Sequence, residues 1–336
     1  MKALFIGGTG IISSAVSSSL VRLGWDLYLL NRGNNSERVP EGAKVIKADI
    51  NDEENIAALI KEHDFDVVAD FIAFVPSQVE RDVRLFKGKT KQYIFISSAS
   101  AYQKPLSDYR ITESTPLANP YWEYSRNKIA CEELLLNEYR KHGFPLTIVR
   151  PSHTYDDCKI PLGVHGNKGS WQVVKRMLEN KPVIIHGDGS SLWTLTHNSD
   201  FAKGFIGLMG NFHAIGEAVN ITSDESLTWN QIYEIIAAAL GVKLDAVHIA
   251  SDYLAACSSY DFNGSLLGDK ANSVVFDNSK LKRLVPGFAA TVRFDQGIRT
   301  LLKNVLSHPE LQEEDTEFDV WCDNVIENYK ASMKKF

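Results

Sequence analysis

The first half of the chain alternates short apolar runs with amphipathic segments. The apolar runs have the length of β-strands and cover residues 2–6, 26–30, 45–47, 67–71, 93–96 and 146–149. The segments between them carry apolar residues three or four positions apart, as at Ile12, Val16 and Leu20 after the first run. This rhythm predicts an α/β fold in which a doubly wound parallel sheet is covered by helices on both faces.

A glycine-rich turn joins the first predicted strand to the first predicted helix. Gly7 and Gly10 allow a tight turn and a close approach of the backbone to a ligand. The helix that follows directs unpaired N–H groups at the loop, which favours a pyrophosphate. Ser13 stands where a third glycine is expected, so a turn without a ligand is the alternative interpretation. We predict a dinucleotide site of Rossmann type that includes Ile11 and Ile12.

The strand and helix rhythm loosens after Pro151, where prolines and glycines mark an irregular stretch typical of substrate loops. We therefore predict a dinucleotide-binding Rossmann domain over residues 1–155, to which residues 196–222 return. A smaller C-terminal α/β region made of residues 156–195 and 223–336 is expected to bind the substrate.

A tyrosine and a lysine stand four residues apart near the start of a long predicted helix. Tyr124 and Lys128 would project from the same helix face, where an ammonium beside a phenol lowers the tyrosine pKa from its reference of about 10. Such a tyrosine exchanges a proton with an alcohol or a carbonyl. The spacing alone is common, but the preceding strand ends in hydroxyl side chains from Ser97 to Ser100, on the ligand side of a doubly wound sheet.

Together these motifs resemble the extended short-chain dehydrogenase/reductase family, which holds the NAD-dependent epimerases and dehydratases. The shared features are the GGTG turn, Asp49, the SSAS strand end, the YxxxK pair, Arg150-Pro151, HGDG at 186–189, and His197 with Asp200. The resemblance implies a nicotinamide cofactor and a catalytic triad. In that triad Ser98 would hydrogen-bond the substrate oxygen, Tyr124 would be the acid/base, and Lys128 would hold the nicotinamide ribose. Ser100 is the alternative for the serine role.

The predicted adenosine end of the site departs from the family pattern. Members that prefer NAD usually carry an acidic residue at the end of the second strand, where this chain has Asn31 followed by Arg32. A guanidinium suits a 2′-phosphate, so NADP is favoured over NAD, the alternative being a solvated loop arginine. The resemblance places Asp49, Ile50 and Ala73 among the cofactor-binding residues as well.

Two further departures concern the substrate. Nucleotide-sugar enzymes of the family carry an arginine upstream of the His197 motif, where this chain has Trp193. A later arginine before a Gly-Asp pair is replaced by Leu266-Leu267. Losing both guanidinium groups removes bidentate phosphate recognition, so a nucleoside-diphosphate sugar is not the expected substrate.

We expect instead a small carbonyl compound or polyol, such as a free sugar derivative. The predicted substrate residues are Ser100, His153, Tyr155, Trp171 and Trp193, although core packing explains either tryptophan equally well. The leading hypothesis is an NAD(P)-dependent oxidoreductase or epimerase that transfers a hydride at a secondary alcohol or ketone. Net redox and epimerase or dehydratase chemistry stay open.

Two alternatives remain. One is a nucleotide-sugar 4-epimerase or dehydratase. The other belongs to a different class, a cofactor-binding protein without turnover that acts in RNA binding or regulation, as some relatives of the resembled family do.

Composition narrows the range of partners. The 336 residues hold 36 basic and 42 acidic side chains, a net charge of −6, and show no basic stripe for nucleic acid or an anionic membrane. With no apolar run long enough to span a bilayer, we expect a cytoplasmic protein. The four cysteines and nine histidines lack metal-ligand spacing, so no metal site is predicted. The resemblance also implies a homodimer.

Overall fold

A seven-stranded parallel sheet forms the centre of the molecule. In the computed structural model, which describes residues 1–257 and 260–333, its strands are β1 (Lys2–Ile6), β2 (Asp26–Asn31), β3 (Lys44–Lys47), β4 (Val67–Asp70), β5 (Tyr93–Ile96), β6 (Leu146–Pro151) and β7 (Ala218–Ile221). The strands lie in the order β7-β6-β5-β4-β1-β2-β3. The predicted doubly wound α/β fold is confirmed.

Helices cover both faces of this sheet because the central strands are apolar on both sides. The helices are α1 (Ile11–Arg22), α2 (Glu53–Leu59), α3 (Pro76–Phe86), α4 (Glu123–His142), α5 (Trp171–Leu178), α6 (Asn198–Leu208), α7 (Trp229–Leu240), α8 (Ser251–Ala256), α9 (Ser279–Leu284), α10 (Phe294–Ser307) and α11 (Thr316–Met333). Side chains from α1, α6 and α9 form one core against the sheet. Those from α2, α3 and α4 form a second core on the opposite face.

A third core lies beyond the central sheet and is built mainly from the later part of the chain. It gathers apolar side chains of α5, α7, α10 and α11. Short two-stranded ladders join distant segments here. They pair Arg110–Ile111 with Val275–Phe276, His153–Tyr155 with Leu195–His197, Val183–His186 with Ala246–Ile249, and Leu192–Trp193 with Leu227–Thr228. A π-helix at Asn263–Lys270 precedes Val275–Phe276.

The strand order places a crevice at the middle of the sheet. Strand β1 lies between β2 and β4. Strands β2 and β3 extend the sheet on one side of β1, and β4 to β7 extend it on the other side, so the strand order reverses at β1. In doubly wound sheets, ligands bind at the carboxyl ends of the strands beside such a reversal. The glycine turn follows β1 at this position. None of the described helices is long and apolar enough to cross a lipid bilayer.

Candidate active site

Two neighbouring cavities open at the carboxyl edge of the sheet. The glycine-turn cavity has a volume of about 470 Å³ and is lined by the turn after β1 and by the ends of β2 and β3. The tyrosine cavity has a volume of about 390 Å³ and is lined by Tyr124, Lys128 and the serines that follow β5. Phe74 lines both cavities, so the two share a wall.

The glycine turn is closed by a serine hydroxyl. The Gly10 N–H donates to Ser13 Oγ (2.8 Å), and that hydroxyl donates to the Gly7 carbonyl (2.9 Å). Gly7 has φ +81°, and a Cβ there would clash with Ile72. The side chain at Ser13 therefore stabilises the turn itself, which explains why a serine is accepted where the family pattern has glycine.

The far side of the glycine-turn cavity carries polar groups from two loops. Asn31 Oδ1 accepts from the Gly33 N–H (3.0 Å) and so shapes the turn that presents the exposed Arg32 to the cavity. Asp49 also lines the cavity, and its Oδ1 accepts from the N–H of the second residue after it. Ile50 is buried and forms part of the wall. The structure thus brings these four residues to one cavity, and their role in cofactor binding stays a prediction.

A buried ionic cluster lies under this region. Asp70 Oδ1 accepts from the N–H groups of Ile72 (2.6 Å) and Ala73 (2.9 Å) and so holds the loop that separates the two cavities. Arg81 bridges Asp70 and Asp82. Burial, with the Asp82 carboxylate nearby, raises the pKa of Asp70 well above its ordinary value. The backbone of the shared wall is therefore fixed from below.

Three serine hydroxyls form a chain in the tyrosine cavity. Ser98 Oγ lies 2.8 Å from Ser100 Oγ, and Ser125 Oγ donates to Ser100 Oγ (2.8 Å). Ser98 also hydrogen-bonds the Tyr124 side chain. Of the two serine candidates, Ser98 therefore contacts the tyrosine, whereas Ser100 supports Ser98 from behind.

The lysine of the YxxxK pair is held by backbone carbonyls. Lys128 Nζ donates to the carbonyls of Ala73 and Ile96, both at 2.7 Å, and lies 4.7 Å from the centre of the Phe74 ring. Burial lowers the pKa of Lys128 to about 8. An ammonium has three donors, so one N–H remains for a further acceptor.

The expected lowering of the tyrosine pKa by the lysine is wrong for this structure. Burial raises the pKa of Tyr124, and only the hydrogen bond with Ser98 opposes that rise. Lys128 Nζ lies 5.8 Å from the centre of the Tyr124 ring and donates instead to the two backbone carbonyls.

Two of the predicted substrate aromatics meet in the tyrosine cavity. Trp193 Nε1 donates to His153 Nδ1 (3.3 Å), and both side chains line the cavity. Burial, with the Lys270 ammonium nearby, lowers the pKa of His153 to about 3. The imidazole is therefore neutral near pH 7 and free to accept from the indole.

The other two predicted substrate aromatics lie elsewhere. Tyr155 packs against the rings of His197 and Phe294 and against Gly297, and does not line either cavity. Trp171 begins α5 in the third core. Both side chains have the apolar contacts that bury large aromatics, so packing rather than substrate contact accounts for their positions in this structure.

The remaining predicted cofactor residues lie at the start of α1 and in the shared wall. The Ile11 carbonyl accepts from Asn198 Nδ2 (3.0 Å) on α6. Ile12 lines the tyrosine cavity, one residue further along α1. The Ala73 carbonyl binds Lys128, as described above. Within residues 1–257 and 260–333, no cluster of histidine, cysteine or acidic side chains is arranged to hold a metal ion.

The sequence did not lead us to predict three charged side chains that line the tyrosine cavity. Lys104, Asp269 and Lys270 all line it, together with Trp122. Lys104 follows the serine strand end by only a few residues, which was a usable signal. Asp269 and Lys270 end the π-helix, and nothing in the local pattern links them to Tyr124.

An asparagine fixes the position of these segments relative to one another. Asn119 Nδ2 donates to the carbonyls of Ser100 (2.8 Å) and Gly268 (2.7 Å). Its Oδ1 accepts from the N–H of Trp122 (3.2 Å), just before α4 begins. One buried amide therefore connects the serine segment, the π-helix and the helix that bears Tyr124.

The residues around the glycine turn fit the pyrophosphate of a dinucleotide. The helix start at α1 faces the glycine turn, and the wall at Gly7 leaves no space for a Cβ. The sequence model of the NAD dependent epimerase/dehydratase family matches residues 3–222, which contain both the turn and the Ser98, Tyr124 and Lys128 group. The chain belongs to this family.

Relatives of this family member span several activities. This chain is 24% identical over 288 residues to 2'-dehydrokanamycin reductase of Streptomyces kanamyceticus, and the match covers 86% of this chain and 80% of the reductase. It is 26% identical to the chloroplast stem-loop binding protein of 41 kDa b of Arabidopsis thaliana, covering 71% of this chain and 63% of that protein.

The fold is also that of solved family structures. The dTDP-glucose 4,6-dehydratase of Bacillus anthracis in complex with NAD superposes with a TM-score of 0.74, covering 92% of this chain and 98% of the dehydratase at 20% identity. At this identity the likeness concerns the fold alone. The family is one of NAD-dependent enzymes, and the substrate of this member has to be argued from its own site.

Proposed function

We propose that this family member exchanges a hydride between a nicotinamide cofactor and the secondary alcohol or ketone carbon of a small, sugar-like substrate. One observation carries the proposal. Ser98, Tyr124 and Lys128 line a single cavity, and that cavity shares the Phe74 wall with the glycine-turn cavity. A cofactor bound at the turn would thus extend toward the tyrosine.

Each of the three polar side chains has a role that follows from its bonds. The Tyr124 hydroxyl moves a proton to or from the substrate oxygen, and Ser98, which hydrogen-bonds Tyr124, donates to the same oxygen. The remaining N–H of Lys128 binds the nicotinamide ribose. When bound, the nicotinamide supplies or accepts the hydride. Burial keeps Tyr124 protonated near neutral pH, which suits proton donation to a ketone.

The substrate is proposed to lack a nucleoside diphosphate. No arginine is among the described residues that line the tyrosine cavity. Leu266, at one position where the family carries an arginine, is fully buried in the third core. Trp193, at the other, lines the cavity with an indole. An indole has one N–H and no charge, so it does not replace a guanidinium fork for a pyrophosphate.

The cofactor is proposed to be NADP(H) rather than NAD(H). Arg32 is exposed at the rim of the glycine-turn cavity, and no acidic side chain follows β2 at its end. A guanidinium binds a ribose 2′-phosphate through charge-assisted hydrogen bonds.

Substitution of the tyrosine tests the proposed reaction. Tyr124→Phe keeps the ring and removes the hydroxyl, so turnover is expected to fall by about 10² to 10⁴ while NADP binding stays within about twofold of wild type. Fluorescence titration measures the binding, and nicotinamide absorbance with a panel of ketones and polyols measures the turnover. Tyr109→Phe, at an exposed tyrosine, is the control and is expected to leave both unchanged. Near wild-type turnover in Tyr124→Phe would contradict the proposal.

A second candidate function rests on the stem-loop binding relative. A scaffold that binds RNA would retain the cofactor cavity without needing turnover. The net charge of −6 opposes binding to a phosphate backbone. Retention of stem-loop RNA on filters at low salt, with equal retention by Tyr124→Phe, would favour this function, and absence of retention removes it.

A further inference from the structure

The tyrosine cavity contains a lysine that no described residue satisfies. Lys104 is only 3% exposed, and its Nζ has no hydrogen-bond partner within residues 1–257 and 260–333. Its backbone N–H donates to the Ala118 carbonyl (2.7 Å), which fixes the segment in place. A buried amine without a partner is costly whether or not it is charged. The position therefore calls for an acceptor supplied from within the cavity.

Positive groups outnumber negative ones in the cavity wall. Lys104, Lys128 and Lys270 line it, opposed by the single carboxylate of Asp269. Lys128 is bound to backbone carbonyls, and Lys270 Nζ lies 3.7 Å from Asp269. Lys104 is left without a counter-charge in direct contact. Burial lowers the pKa of Lys104, and it outweighs the nearby Asp269 carboxylate, which acts to raise that pKa.

The second lysine is fixed by aromatic rings. Lys270 Nζ lies 6.0 Å from the ring centres of both Trp122 and Trp193. The Lys270 carbonyl accepts from the buried indole N–H of Trp229 (3.1 Å) and from His186. The Lys270 ammonium itself donates one long hydrogen bond to the Ser265 carbonyl (3.4 Å) and lies near one Asp269 carboxylate oxygen and the two indole rings.

We propose that Lys104 and Lys270 bind a single anionic group, a carboxylate or a phosphate, on the substrate. This inference rests on the proposed function, since it names the class of substrate for that same site: a small polyol or ketone with one acidic end. The anionic group lies beside Lys104, the chain of the substrate lies against Trp122 and Trp193, and the reacting carbon lies at Tyr124. Asp269 accepts from a hydroxyl of the substrate and limits the cavity to one negative charge.

Three probes of matched structure test the charge requirement. The NADP-bound protein is titrated with D-glucitol, D-gluconate and D-glucitol 6-phosphate, and binding is followed by calorimetry and by tryptophan fluorescence. At least one charged probe is expected to bind about tenfold more tightly than glucitol, as one charge-assisted hydrogen bond predicts. A stronger response to gluconate identifies a carboxylate, and a stronger response to the phosphate identifies a phosphate. Equal affinity for all three, or no saturable binding of either charged probe at millimolar concentration, overturns the proposal.

Substitutions at Lys104 and at Asp269 are expected to change the affinity for the charged probe in opposite directions. Lys104→Met removes the cation and is expected to reduce the affinity for the charged probe to that for glucitol. Asp269→Asn removes the competing carboxylate and is expected to raise that affinity. Lys175→Met is the control and leaves it unchanged, since Lys175 is a half-buried lysine of α5 that pairs with Glu314 and lines neither cavity. Equal affinity of Lys104→Met and wild type for the charged probe also overturns the proposal.

Measurements of thermal stability, NADP binding and turnover distinguish a failure of the proposed anion site from a failure of the proposed hydride transfer. Lys104→Met replaces an unsatisfied amine by an apolar chain, so its thermal midpoint is expected to equal or exceed that of wild type. NADP affinity is expected to stay the same. If neutral ketones react as fast as acidic ones and still require Tyr124, the anion site fails while the proposed reaction stands. If the charged probe binds through Lys104 but Tyr124→Phe retains turnover, the reverse holds.

Discussion

The two cavities differ in how the chain builds them. The described residues that line the glycine-turn cavity lie between Gly7 and Arg81, at the ends of β1 to β4, in the loops that follow them and at α3. The tyrosine cavity is assembled from segments between Ile12 and Phe276, so most of its contacts join parts of the chain that are far apart in sequence. The cofactor side is thus a property of local backbone geometry. The substrate side is a product of tertiary packing and carries the charged side chains Lys104, Asp269 and Lys270.

Among substitutions that distinguish the two cavities, one at Gly7 in the glycine turn is expected to have the largest effect on stability and NADP binding. Gly7→Ala forces a Cβ into Ile72 at a positive φ, so stability is expected to fall by about 1 to 2 kcal/mol and NADP binding by more than tenfold. Chemical denaturation and fluorescence titration measure the two effects.

A matched glycine separates strain from shape. Gly24→Ala, at φ +76° with no atom within 4 Å of the added Cβ, carries the backbone strain without the clash. It is expected to lose stability alone and to keep its affinity for NADP. Equal loss of NADP affinity in both variants would show that the turn itself does not shape the cofactor site.

Arg32 tests whether the cofactor side also contains a specific side-chain contact. Arg32→Gln removes the charge from the rim of the glycine-turn cavity, so NADP affinity is expected to fall about tenfold while NAD affinity stays constant. Parallel titrations with the two cofactors measure the ratio. An equal fall for both, or no change for either, would contradict a 2′-phosphate contact.

The smallest expected effect concerns pH and the residue between the two cavities. The Lys128 ammonium has three donors, and two are used by carbonyls, so below its pKa of about 8 one N–H remains for the cofactor ribose. Above that pH the neutral amine has only two. NADP affinity is therefore expected to decrease a few-fold as pH rises through about 8.

The groups around the lysine support this assignment of the pH dependence. Asp70 and Glu132 act on Lys128 to raise its pKa, but burial outweighs them, and Tyr124 stays protonated because its own pKa is raised. Lys128→Met is expected to bind NADP weakly and with no such dependence. A titration of the variant that follows the wild-type curve would assign the effect to another group.

The same contrast explains which parts of the molecule could be predicted from sequence. The sheet, the glycine turn and the Tyr124–Lys128 pair were predicted from apolar periodicity, glycine spacing and a one-turn separation, which are local signals. The role of Ser98 came from the family resemblance, and the catalytic roles of all three residues stay predictions. The hydroxyl of Ser13 could not be interpreted, since its two bonds within the turn depend on the folded loop.

The substrate residues were predicted less well because their positions depend on distant contacts. His153 and Trp193 do meet in the tyrosine cavity. Tyr155 and Trp171 were also predicted as substrate residues, but their side chains pack into the third core and line neither cavity. The charged pair at Asp269 and Lys270 reaches the cavity through tertiary contacts, which include the bonds of Asn119 to the π-helix and those of Trp229 and His186 to the Lys270 carbonyl. The pKa of Tyr124 was predicted in the wrong direction for a similar reason, since burial is a tertiary property.

Transfer of deuterium from the cofactor to a ketone carbon directly tests the proposed hydride transfer at Tyr124. The wild-type protein is incubated with NADPH deuterated at C4 and with a panel of keto acids and ketose phosphates, and the products are examined by mass spectrometry. We expect one deuterium on the new carbinol carbon in wild type and a loss of about 10² to 10⁴ in that rate for Tyr124→Phe. Equal incorporation by both proteins, or no incorporation by a wild-type protein that binds NADPH, would contradict it.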